Sequence, residues 1–318
     1  MTAPSRLIND QQWRHRGNPE AIEHDIFGFR NIVQIEDATT LLTGSSHAYG
    51  TCLRKEQSWP ILLQAQGVRL FNASTGAWGF MQFAMAVDKY LREGMTTVVL
   101  VVYTGFDIYA ALKHSLDTRS PFAVGVLGDS LKPIDIDWSW KAKRDVFVKE
   151  AMKQPGATLA TAFDEARRAG FSDTEFVNVN GRRYFLEPRL RHHTTDIASD
   201  YGRIAWECST KYMSYVTNLC REYGVRLSVV IMPTKEYAFR GEAGDIPYFG
   251  ELIESESRLH VALQDCLAPW CREIIDLTPL YVENLRAGIF FTDSNDGHPN
   301  PLGASLISKF LLKTGVFA

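Results

Sequence analysis

The chain of 318 residues is poor in cysteine: five occur, and no two form a CxxC pair. An odd count fits a reduced compartment better than a disulfide framework. Cys52, Cys208, Cys220, Cys266 and Cys271 are therefore expected as reduced structural thiols. Cys266 and Cys271 flank Leu-Ala-Pro-Trp, but no second ligand pair of matching spacing accompanies them, so no metal is expected. No sign of charge dominates. The formal net charge is −3, and no basic cluster is denser than Arg189-Leu190-Arg191-His192-His193, so no nucleic-acid partner is expected. Long apolar runs are absent as well: Val98–Tyr103 has the length of a buried strand, far short of a membrane span. The opening MTAPSRLINDQQWRHR has no apolar centre of signal-peptide length, and the expectation is a soluble, cytoplasmic chain with no membrane partner. Neither a Walker A nor a G-x-G-x-x-G pattern follows a strand; no cofactor is expected. Repeats, low-complexity tracts and flexible linkers are also missing, which favours one domain over residues 1–318.

What is present is the composition of an ordinary globular chain, 45% hydrophobic and 22% charged. Residues 1–37 read as an irregular lead-in. A rhythm then begins: a strand ending at Gly44, a helical stretch Trp59–Gln66, a strand Val68–Phe71, a helix from Trp78 to Arg92 and the strand Thr97–Tyr103. Strands alternating with helices imply right-handed crossovers and a parallel sheet covered on both faces. From 108 to 200 the pattern loosens into helical stretches, Ser139–Met152 and Leu159–Ala169, and one hairpin, FVNVNGRRYF, whose Asn180-Gly181 suits a type I′ turn. This segment reads as an inserted lid or cap. The frame resumes with a helix Ile204–Tyr223, a strand Leu227–Met232, a helix Ser257–Leu267 and a short strand Ile274–Asp276. A last helix is expected from Pro301 to Leu312, capped by Asn300.

In an open parallel sheet, ligands bind beyond the carboxyl ends of the strands. That edge collects Ser46, Asn72–Gly76, Thr104–Asp107, Pro233–Lys235 and Asp296–His298. Ser46, on the turn TTLLTGSSHAYG, is the candidate nucleophile, since a serine hydroxyl at a sharp strand-to-helix turn is exposed to a base and to backbone donors.

Six blocks in this order resemble the SGNH, or GDSL-type, hydrolases, in the bacterial branch with hydrolase-like and polysaccharide O-acetyltransferase-like members. DIFGFRN at Asp25–Asn31 is similar to the D-x-x-G-[FW]-R lead-in, Thr43–Gly50 to the G-D-S-x-x-x-G nucleophile block, and FNASTGAWG to N-x-G-x-x-G-x-G. VVLVVYTGFD resembles the strand ending in G-N-D, VRLSVVIMPTKE the strand before P-T-K-E, and DGHPNPLG the D-G-H-x-N-x-x-G ending. The resemblance covers residues 25–107 and 200–315. It implies a three-layer α/β/α flavodoxin-like sandwich around a parallel sheet, and metal-independent hydrolysis of a small-molecule or glycan ester through an acyl-enzyme. Ser46 would be the nucleophile, His298 its base and Asp296 the carboxylate orienting the imidazole, with Asp293 in reserve; the N–H groups of Ser46 and of Gly76 or Ala77 would hold the oxyanion. His47, Phe106, Asp107, Lys235 and Asn295 are the expected substrate-lining residues, a surface position being the other reading of Lys235.

Three departures accompany the resemblance: Ser45 replaces the block's aspartate, the second block reads Gly76-Ala77, and Phe106 stands where an asparagine would donate to the oxyanion. An O-acyltransferase with the same triad, and a non-catalytic binding protein on the same scaffold, are the alternatives. A literal Gly-Asp-Ser-Leu at Gly128–Leu131 is set aside because no matching blocks follow it. His192-His193 with Asp196 reads as a solvated loop.

Overall fold

The computed structural model describes residues 7–128, 131, 139–170, 175–242, 246–287, 290–291 and 297–317. Its centre is a five-stranded sheet of β3 (Thr40–Gly44), β4 (Leu70–Asn72), β5 (Thr97–Tyr103), β8 (Arg226–Met232) and β9 (Glu273–Asp276), in the order β4-β3-β5-β8-β9. Every neighbouring pair is parallel, with Leu41 opposite Val98 and Val98 opposite Leu227. The fold is thus the expected α/β sandwich with flavodoxin-like strand order. That order reverses between β3 and β5, the switch point outside which open parallel sheets bind ligands.

All seven residues of β5 are buried, as a central strand covered on both faces requires. Val98, Leu100 and Val102 enter one core, against α3 (Phe80–Tyr90), α9 (Asp200–Glu222) and α11 (Phe249–Leu267). Val99, Val101 and Tyr103 enter the other, with α2 (Trp59–Ala65), α12 (Thr278–Arg286) and α13 (Pro301–Thr314). Among the described residues no helix is long and apolar enough to cross a membrane.

Several elements differ from the sequence expectation. The lead-in holds an antiparallel hairpin, β1 (Leu7–Asp10) and β2 (Arg14–Gly17). It is clipped to α3 and the turn before it: Trp13 stacks on Trp78 at 5.2 Å, Gln82 Nε2 donates to the Trp13 carbonyl at 2.9 Å and Trp78 Nε1 to the His15 carbonyl at 2.7 Å. The loosened segment opens with α4 (Asp107–Thr118) and α5 (Pro121–Leu127), both packed on α9 and so part of the layer covering the sheet. Beyond them lie α6 (Ser139–Ala151), α7 (Leu159–Arg168), the hairpin β6 (Glu175–Val179) and β7 (Arg182–Leu186), and α8 (Pro188–Thr195). Asn180 and Gly181 have φ of 51° and 76°, as the type I′ turn demands. Asp129 and Ser130, of the literal Gly-Asp-Ser-Leu, lie outside the described residues.

Candidate active site

Beyond β3 the chain turns at Gly44 and Ser45 into the single helical turn α1 (Ser46–Tyr49), closed by Gly50 at φ 75°. Gly44 is required by proximity: a Cβ there would stand 2.8 Å from the Cβ atoms of both Ala48 and Val101. The turn therefore lies flat on the sheet and lifts Ser46 to the strand-end rim.

His298 arrives from the far end of the chain, two residues before Asn300. Asn300 Oδ1 accepts the Gly303 N–H at 2.8 Å and caps α13, with Pro301 at the first helical position. His298 Nε2 stands 2.7 Å from Ser46 Oγ, across 252 positions of sequence. Both side chains are half-buried. Asp296, Asn295 and Asp293 lie outside the described residues.

The N–H groups of Ser46, Gly76 and Ala77 donate no hydrogen bond among the described residues. Gly76 is close to the nucleophile turn: a Cβ built on it would be 3.5 Å from Thr51 Oγ1, and the Thr51 N–H donates to the Ser46 carbonyl at 3.1 Å. Ala77 has φ 62°, a left-handed conformation costing a non-glycine residue roughly 1 kcal/mol. Unpaired donors on a strained turn beside a serine suit a developing oxyanion.

The expected substrate-lining residues do not share one wall. His47 is buried, and its ring packs between Tyr103, at 4.0 Å between centroids, and His298, at 4.5 Å. It supports the His298 imidazole. Phe106 is the half-buried N-cap of α4, with its ring near Tyr109 and His114. Asp107 is corrected from a lining role: it is fully buried, and its Oδ2 accepts the Tyr103 N–H at 2.7 Å. Burial pushes its carboxyl well above the usual carboxylate range, against the hydrogen bonds from the Tyr103 N–H and Ser45 that act the other way. Lys235, first residue of α10 (Lys235–Ala238) behind the Thr234 cap, is fully buried, which corrects the surface reading.

Sequence reasoning missed four residues around this centre. Cys52, expected as an ordinary structural thiol, is exposed, with Sγ 3.8 Å from His298 Nδ1. Tyr103 forms the floor under His47. Glu256, from α11, accepts from Thr104 Oγ1 at 2.5 Å and from the Thr234 N–H at 2.8 Å, tying the ends of β5 and β8 together. Arg191, on α8, donates from Nη1 to the Gly105 carbonyl at 3.3 Å. Only a hydrophobic run ending in a threonine, at Thr104 and at Thr234, hinted at such a rim. His192 and His193 are on α8 and not on a loop, and His192 Nδ1 is 3.3 Å from Ser255 Oγ. Among the described residues no cluster of three or more His, Cys, Asp or Glu side chains could hold a metal ion.

No protein-family model matches this chain, and no curated protein matches it. Solved structures similar to it include the following two. One, titled an acetyl xylan esterase, aligns over 86% of this chain and 98% of its own at 10% identity and a TM-score of 0.40. The other, a Bacteroides fragilis protein named as a candidate acylhydrolase, aligns over 87% and 85% at 9% identity and a TM-score of 0.37.

Proposed function

We propose that the chain is a metal-independent serine hydrolase of the SGNH type, acting on an ester of a small molecule or glycan. The observation that carries this reading is the 2.7 Å contact between Ser46 Oγ and His298 Nε2 on the strand-end rim. A hydroxyl becomes nucleophilic when a neutral imidazole nitrogen accepts its proton. Ser46 Oγ attacks the ester carbonyl carbon as Nε2 takes the proton. The resulting oxyanion is held by the N–H groups of Ser46 and of Gly76 or Ala77. Collapse expels the alcohol, which leaves with the proton from His298. Water, deprotonated by the same nitrogen, then attacks the acyl-Ser46 ester and releases the acid. Asp296 would orient the imidazole through Nδ1–H, as triad carboxylates do.

The test is direct. A fluorophosphonate should label Ser46, and p-nitrophenyl acetate should release p-nitrophenol at a rate that falls by about 10³ or more in Ser46→Ala and His298→Ala. Labelling that persists in Ser46→Ala overturns the assignment. A second reading, O-acyl transfer to a hydroxyl acceptor, draws on α8 reaching the rim through Arg191, where a covered site disfavours water. Added alcohol or sugar that accelerates p-nitrophenol release selects it. An intact rim that turns over no ester selects the non-catalytic binding scaffold.

A further inference from the structure

Arg191 belongs to the segment between β5 and β8 that the six motif blocks leave out. Its helix is moored from two sides. On α11, Ser255 Oγ lies 2.8 Å from Thr195 Oγ1 and 3.3 Å from His192 Nδ1. At the head of α8, the Glu187 N–H donates to Glu236 Oε1 at 3.0 Å, and the Glu187 carboxylate pairs with Arg144 of α6. So held, α8 sends one side chain, 15% exposed, to the rim.

There the guanidinium meets three separate stretches of chain. Nη1 donates to the carbonyl of Gly105, the residue before Phe106. Nε is 3.5 Å from Glu236 Oε2, on the turn after β8. Nη2 would be 3.8 Å from a Cβ on Gly297, the residue before His298. The phenol of Tyr103 lies in the same place: its ring centroid is 5.7 Å from the guanidinium, and its hydroxyl would be 3.5 Å from that Cβ. Arg191 thus bonds the turn after β5 and faces the loop that carries His298. A planar fork with fixed donors holds several partners at set angles, which a lysine cannot do.

We infer that Arg191 is a positioning residue of the ester-hydrolysis centre, setting the Gly105–Phe106 turn and the Gly297–His298 loop relative to each other from outside the catalytic frame. The inference rests on the hydrolase reading above. The consequence is that the segment carrying α6 to α8 governs turnover: displacing His298 by an ångström costs about 10²-fold in rate.

The experiment compares wild type with Arg191→Ala, Arg191→Gln and Arg191→Lys. Steady-state p-nitrophenyl acetate hydrolysis is measured with and without added guanidinium, and hydrogen exchange of the amides at 104–107 and at 297, 298 and 300 alongside. The expected result is a kcat lowered about 10- to 100-fold in Arg191→Ala at unchanged KM, partly restored by guanidinium, with Arg191→Lys intermediate. Exchange at both segments should speed up together. Unchanged kcat, or a loss that guanidinium does not relieve in a variant whose exchange at both segments matches wild type, overturns the inference. If Arg191→Ala does not fold, the glutamine and lysine variants carry the same comparison. If wild type hydrolyses no ester and takes no fluorophosphonate, the hydrolase reading fails; the exchange of the two segments then decides separately whether Arg191 positions them.

Discussion

Phe106, the N-cap residue of α4, carries no N–H or O–H on its side chain, so under the proposed mechanism oxyanion stabilisation would fall to backbone N–H groups. Phe106→Asn is expected to raise kcat/KM for p-nitrophenyl acetate by about 10-fold, less than the 10²–10³ lost when an existing donor is removed, because the new amide must also find its rotamer. An unchanged rate would mean that the backbone donors already suffice. One position on, Asp107 is a buried carboxyl, pushed up by burial, that accepts from the Tyr103 N–H. Asp107→Asn keeps that acceptor and is expected to be tolerated, whereas Asp107→Ala leaves the buried N–H unpaired at a cost of about 1–3 kcal/mol, read from urea unfolding. At this scale Ser46 and His298 were legible, since each sits in a local pattern of turn residues. Cys52 and His47 were not: their contacts with His298 cross nearly the whole chain, and no local pattern encodes them.

Elements with strong periodicity were legible to within a residue or two. β5 is Thr97–Tyr103 as expected, and α13 starts at Pro301 behind its Asn300 cap. That cap also fixes the helix end two residues after His298. Asn300→Ala should cost about 1 kcal/mol of stability and lower kcat, and a variant that loses stability alone would uncouple the cap from the site. Shorter and more polar helices escaped. α8 reads Pro-Arg-Leu-Arg-His-His-Thr-Thr, with almost no apolar stripe, because its buried side is Thr194 and Thr195 bonded to α11 and to its own backbone. α11 begins at Phe249, ahead of the expected Ser257, its first turns following Tyr248 at φ 61°.

Across the whole molecule, the rim is held by a buried ionic group behind it. His260 lies against Asp276 at 3.1 Å and Glu256 at 3.7 Å. Burial opposes its charge, but the hydrogen bond to Asp276 and the Glu256 carboxylate outweigh that and push it up to about 9. A histidine raised from its unfolded value near 6.5 contributes stability that is complete below that value and is lost as pH climbs through about 9. Stability should therefore fall between these limits by on the order of 2–3 kcal/mol, and His260→Gln should flatten that slope in urea midpoints taken across the range. Because Glu256 also joins Thr104 to Thr234, a wild-type slope equal to the variant's would remove His260 from the support of the rim. The amino-acid order alone determined the alternation of strands and helices, hence a parallel sheet, and the polar turns gathered at its carboxyl edge, because periodicity and turn chemistry act over a few residues. Which strands adjoin, that the order reverses between β3 and β5, and that Arg191 and Glu256 meet the end of β5 were decided by tertiary packing, since those contacts exist only once burial of both sheet faces has brought distant segments together.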